Sequence, residues 1–232
     1  MPLIDIVRDV AIQVGLSPPS VAASSTEQTE IELVHVANRA LAECRRWHDW
    51  TALAVAGSIT GDGSTTSWPT PDGFDRLGSG QRVQRQGDLC YWLYGPLNAS
   101  QRTSWTAQSI VRLYEVFWFR GGMIVIDPAL STGRVVVFEY QTKFAVRPAT
   151  GTDKAKFDQD NDSCLIDEEL ITLCAVWMWK RMKGLDYSQE HESWRQAAQL
   201  TAARDGNLQP SAAGPASYDL PQPVMPDTIV VS

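Results

Sequence analysis

The sequence lacks most of the short patterns that announce chemistry. It contains no GxSxG, HExxH, GxGxxG or P-loop pattern, and the glycines of GDGST and RLGSGQ lie between strand candidates with no lysine in the P-loop position. The chain therefore reads as a non-enzyme, and no cofactor is expected. Its four cysteines, Cys44, Cys90, Cys164 and Cys174, show no CxxC spacing, so reduced thiols are expected. Positive charge is also scarce. Twenty Lys and Arg against 27 Asp and Glu leave a net charge of -7, which excludes a protein that wraps nucleic acid by neutralising phosphates. No apolar run approaches the roughly 18 residues of a membrane span, and MPLIDIVRDV lacks the basic-then-apolar layout of a secretory signal. A soluble protein with no membrane contact, folding in a cytosolic compartment, is expected.

What is present is enough apolar material, 44% of 232 residues, to bury a real core in one large domain or two small ones. Residues 4–15 place Ile4, Val7, Val10, Ala11 and Val14 at helical spacing, with Gly15 as the stop. A second helix opens near Ser24, Ser25 and Thr26, carries Ile31, Val34, Ala37, Ala40, Leu41 and Cys44 on its apolar face, and ends near WHDW. From Thr51 the period drops to two. TALAVAGSIT, DLCYWLYG, IVRLYEVFWF, MIVID and RVVVFEYQTKFAV read as strands, SWPTPDGFDRLGSG as a long connection, and Arg120-Gly121-Gly122 as a hairpin turn. In the last strand Val136, Phe138, Tyr140, Phe144 and Val146 share a core face while Glu139, Gln141 and Lys143 face water. Helical grammar returns over residues 165–183, and a final helix runs to about Arg204. The expected fold is α+β: an antiparallel bundle of two N-terminal and two C-terminal helices, an inserted antiparallel β domain and an extended C-terminal tail. The expected boundaries are 1–51, 52–151, 152–206 and 207–232.

The helix at LIDEELITLCAVWMWKRMKGLDYS is unusual. Its ends are charged as the macrodipole prefers, and Gly184 is a C-cap candidate. Its middle is apolar on every side, with Leu170, Leu173, Cys174 and Trp177 on one stripe, Ile171, Ala175 and Met178 on a second, and Val176 and Trp179 elsewhere. Two readings of that surplus stand: a central core helix of one chain, or a helix whose flanks are covered by another copy. On the second, Trp177, Trp179 and Met182 form a subunit interface.

Three constellations invite a chemical reading. Asp158, Asp160, Asp162 and Glu169 match positions 1, 3, 5 and 12 of a calcium loop, but Ser163 stands where glycine is needed and no convincing helix leads in; a solvated loop with Asp162 or Ser163 capping the next helix is the plainer reading. Cys44 and His48, four apart, could pair as half a metal site, though Cys44 reads better as a buried apolar residue. Trp68, Trp92, Trp105 and Trp118 in the β region could form a sugar platform, which keeps a β-type carbohydrate- or receptor-binding module as the alternative function.

The order of parts, CRRWHDW, then WPTPDGFDRL in the insert, then the acidic loop into LIDEELI, then KGLDY and a closing ARDG, resembles the head-to-tail adaptor (connector) proteins of tailed bacteriophages. The resemblance covers most of residues 1–206. It implies a virion structural protein at the head–tail junction, assembled in the host cytoplasm, forming a ring usually of twelve copies beneath the portal. Its partners would be other copies of itself, the portal protein and the next tail component, a nozzle or tail tube, with DNA passing through the channel unbound. It further implies that the C-terminal extension docks on the portal, and Thr228, Ile229, Val230 and Val231, a β-branched run at the end of a proline-rich tether, are the residues expected to do so.

Overall fold

The computed structural model describes residues 1–88, 91–107 and 114–206. Cys90 and the tail residues Thr228, Ile229, Val230 and Val231 lie outside the described residues. The fold is α+β, with five α-helices among the described residues and antiparallel sheets.

The chain opens with α1 (Leu3–Gln13) and α2 (Gln28–Trp47). A single 3-10 turn (Thr51–Leu53) leads into β1 (Ala54–Thr60), β2 (Ser67–Pro69), β3 (Phe74–Leu77) and β4 (Gln84–Arg85). A helix, α3 (Ala99–Ala107), interrupts the strands before β5 (Val116–Arg120), β6 (Met123–Asp127), β7 (Val135–Thr142), β8 (Val146–Arg147) and β9 (Ser163–Cys164). The chain closes with α4 (Glu168–Met182) and α5 (Ser188–Asp205).

In one sheet β7 is central, with β1 along one edge and β3 and β4 along the other; a second sheet has the order β2-β6-β5. Both contribute to one apolar cluster, in which Ile59, Val83, Phe117, Ile124, Ile126, Val136, Phe138 and Tyr140 are buried. The β5–β6 hairpin forms at the expected turn, Arg120 opposite Met123, with Gly121 and Gly122 both at positive φ as a primed two-residue turn requires. The segment 67–80, expected as a connection, instead supplies β2 and β3, each pinned to a longer strand. Residues 91–94, expected as a strand, make only isolated bridges at Trp92 and Tyr94. Gln141, expected to face water, is buried; it lies between Ala54 of β1 and Arg76 of β3.

The helices share a second cluster. α4 packs against α1, α2 and α5, and Leu170, Ile171, Cys174, Ala175, Val176, Trp177 and Trp179 are all buried. This corrects the premise that the flanks of α4 need a neighbouring copy. Within one chain Trp177 is 6% and Trp179 7% exposed. The cover comes from wide apolar faces on α1 (Leu3, Ile6, Val7, Val10) and α2 (Leu33, Val36, Ala37, Leu41), and from Trp194 of α5. The face of α2 is the expected one from Ala37 through Ala40 and Leu41 to Cys44; in its N-terminal half Leu33 and Val36 are buried instead, and Ile31 is half exposed.

Candidate functional site

Short quoted motifs of the sequence converge where α2 ends, the β segment begins and α5 ends. Trp50 leaves α2 with its indole donating to the Cys44 carbonyl at 2.8 Å, which turns the chain out of the helix. Arg76, from PDGFDR on β3, reaches back to that corner. Its guanidinium donates to Asp49 Oδ1 from Nε and Nη2, at 3.1 and 2.8 Å, and Nη2 also lies on the His48 carbonyl at 3.1 Å. A cation on the last carbonyls of a helix is electrostatically favourable. Arg45 answers from α2, donating to the Lys143 carbonyl beyond β7 at 2.9 Å. Asp205, from the closing ARDG, accepts the Thr51 N–H at 2.8 Å and the Thr51 hydroxyl at 2.6 Å. CRRWHDW, PDGFDR and ARDG are therefore one joint, clamped from the N-terminal helix, the sheet and the last helix.

The acidic loop is a second joint. Asp160 accepts the amides of Ala22 and Ala23, at 3.1 and 2.7 Å from Oδ1, and so ties itself to the α1–α2 connection. Asp162 has no exposed side-chain surface; it accepts the amides of Asp158 and Gln159 at 2.9 Å each and pairs with Lys154 at 2.8 Å. Asp158 pairs with the same lysine. Of the four carboxylates that matched calcium-loop positions, Asp158 and Asp162 share Lys154, while Asp160 turns to the α1–α2 connection. Helix α4 is capped by Asp167, whose carboxylate accepts the Glu169 amide at 2.9 Å, and not by Asp162 or Ser163. No group of three or more metal-ligating side chains occurs among the described residues.

KGLDY is the third joint. Gly184 sits at φ +71, its N–H donates to the Arg181 carbonyl and the Leu185 N–H to the Lys180 carbonyl, the paired bonds of a Schellman ending. Asp186 then accepts from the backbone and hydroxyl of Ser188 and starts α5. From Arg181 to Ser188 every residue is exposed, including Met182 at 45%, Leu185 at 52% and Tyr187 at 36%.

No catalytic arrangement emerges from the remaining candidates. His48 lies past the end of α2 with extended backbone, so the helical i,i+4 relation to Cys44 fails; Cys44 faces the Leu170 carbonyl in the core, whereas His48 stands 3.7 Å from Asp205. Burial, with the Cys44 thiol beside it, pushes the Cys174 thiol far above its ordinary range, and burial pushes Cys164 up to about 12. Such thiols stay neutral and unreactive at neutral pH. The four tryptophans of the β region do not form a platform: Trp118 is 9% exposed and the Trp105 indole donates to Asp127. Only Trp92 is well exposed among them, at 48%, and the Arg82 guanidinium lies 4.3 Å over its ring.

The three joints are contacts within one chain, and they hold the helices and the sheet against one another. Residues 1–224 match the family model for the SU10 adaptor protein. The chain belongs to the SU10 adaptor protein family. No curated protein matches it. The adaptor is thus a structural component of a phage virion, in a family that associates with other phage head and tail components, and its class is structural and not enzymatic. What sequence reasoning missed was Arg76 and Asp205 as clamps; the pattern match drew attention to their motifs without saying what they hold.

Proposed function

We propose that the adaptor forms a ring, of twelve copies by family resemblance, that joins the portal to the tail and lines the DNA channel. The observation that carries this reading is the unbroken exposed stretch from Arg181 to Ser188, with Met182, Leu185 and Tyr187 presented on a stiff Schellman turn. Apolar side chains held out on rigid backbone suit an interface. Trp177 and Trp179 support that turn from behind: Trp177 packs against Tyr187 at 6.1 Å and Trp194 at 5.8 Å, and Lys183 lies 5.6 Å over Trp179. The contact with a neighbouring copy therefore falls to Met182 and not to the two indoles. The sheets, braced by Arg76, project toward the next tail component, a nozzle or tail tube, and Thr228, Ile229, Val230 and Val231 reach the portal. A net charge of -7 suits a channel wall past which DNA must slide without sticking.

The test is negative-stain imaging of the purified adaptor alone and with portal. Rings are expected, at least on portals; Met182→Glu should reduce them without moving the melting temperature, and removal of residues 207–232 should abolish portal attachment. Isolated single copies that never cap a portal would end this reading.

A further inference from the structure

The exposed turn after α4 has a counterpart on the same chain. α1 turns Leu3, Ile6, Val7, Val10 and Ala11 into the core, and Ile12 lies off that face, 61% exposed, the most of any large apolar residue among those described. It stands in a groove of about 590 Å³ between the outer stripe of α1 and residues 18–20 of the α1–α2 connection, with Met1, Pro18 and Pro19 as its other apolar walls. The groove is already built in the single chain. Arg8 ties its two sides together, donating to the Pro19 carbonyl at 3.0 Å from Nε and to the Ser20 carbonyl at 3.3 Å from Nη2, while its Nη1 meets Asp5 at 3.4 Å. Arg8 and Asp5 thus offset each other's charge. Asp9 is exposed and has no partner among the described residues, so the groove keeps one free negative charge.

We infer that this groove receives the α4–α5 turn of the next copy. The inference rests on the ring reading and names the surface on which its apolar contact lands. Charge and character match. Of the three cations that close α4, Lys180 pairs with Glu190 and Lys183 with Glu32, while the Arg181 guanidinium has no partner among the described residues. The turn therefore presents one free positive charge beside Met182, Leu185 and Tyr187, as the groove presents one free negative charge beside Met1, Ile12 and Pro18. The spacing agrees as well: Asp9 and Ile12, three apart on α1, share a face, and Arg181 adjoins Met182, so Met182 seated on Ile12 brings Arg181 to Asp9. The apolar seat supplies the strength of this contact, and the exposed ion pair adds little affinity but fixes the register. A braced groove and a stiff Schellman turn meet with little ordering cost. Turn and groove belong to different elements, so each copy offers one of each, and such a heterologous contact builds a ring when its rotation closes.

Cross-linking tests this. Copies carrying Ile12→Cys are mixed with copies carrying Met182→Cys, imaged by negative stain with portal, and mildly oxidised beside the unaltered chain, which sets the background from its own cysteines. Both side chains are exposed, so neither change opens the core. A disulfide-linked dimer is expected from the mixture and from neither variant alone. Rings on the grid without that dimer overturn the inference and leave the ring reading standing; dimers from one variant alone overturn it in favour of a symmetric contact. Absence of rings ends both. Charge reversal supplies a second measurement. Asp9→Arg makes each copy less negative, which by net charge alone favours association, yet it should weaken association about fivefold by facing Arg181 with a like charge. Adding Arg181→Glu to the same chain should restore it, and association strengthened by Asp9→Arg overturns the inference.

Discussion

Asp162 shows how a residue can be conspicuous in sequence for the wrong reason. Its place in FDQDNDS suggests an ion or a helix cap, but the bonds that make this buried carboxylate tolerable come from the protein and fall on Oδ2, while the buried Oδ1 has no hydrogen-bond partner among the described residues. Burial raises its pKa, yet Lys154 and the amides of Asp158 and Gln159 outweigh that and hold the carboxyl below the usual range. The folded group therefore titrates below the unfolded one, near 3.9. Its contribution to stability is whole above about pH 4 and is withdrawn as pH falls through the lowered folded value. Asp162→Asn should cost about 2 kcal/mol at neutral pH, a charged hydrogen-bond partner lost, and should flatten the acid limb of a melting-temperature profile between pH 5 and pH 2 (approximate limits set by the same linkage). A variant whose acid limb matches the parent would show that Asp162 does not carry this linkage.

At the scale of elements, endings were more legible than exceptions. The Schellman ending at Gly184, the hairpin at Gly121 and Gly122, and the alternation of β7 as far as Tyr140 rest on local rules, and local rules are visible in sequence. The missed elements depended on distant partners. β2 and β3 lie in a stretch rich in Pro and Gly and exist because β6 and β7 pair with them. Helix α3 did leave a signal, since Asn98 and Gln101 cap each other reciprocally at 2.9 and 3.0 Å, but its helical residues bury nothing and so carry no apolar period to read. Gly184 supplies a clean measurement of one such rule. A Cβ there meets nothing within 4 Å, so Gly184→Ala adds only the strain of positive φ, and a loss of about 1 kcal/mol in thermal or denaturant melts is expected. A loss several times larger would mean that the turn between α4 and α5 moves as a unit.

For the whole molecule, the surplus of apolar residues in α4 misled because it counted one helix without counting the faces opposite. Once α1, α2 and α5 are in place, the single chain covers Trp177 and Trp179 by itself, and what remains for assembly is a small apolar group on a strongly acidic body. That combination makes a statement about salt. Copies each carrying -7 repel one another, while contacts through Met182, Leu185 and Tyr187 are apolar and little affected by ions. Raising ionic strength from about 0.01 to about 0.15 M shortens the screening length from about 30 to about 8 Å. Self-association should therefore strengthen with salt across this range, read as a rising sedimentation coefficient at fixed protein concentration. If the neighbours were instead held by ion pairs at the basic end of α4, where Arg181 stands exposed, the same titration would weaken assembly, and the sign of the slope separates an apolar ring contact from an ionic one.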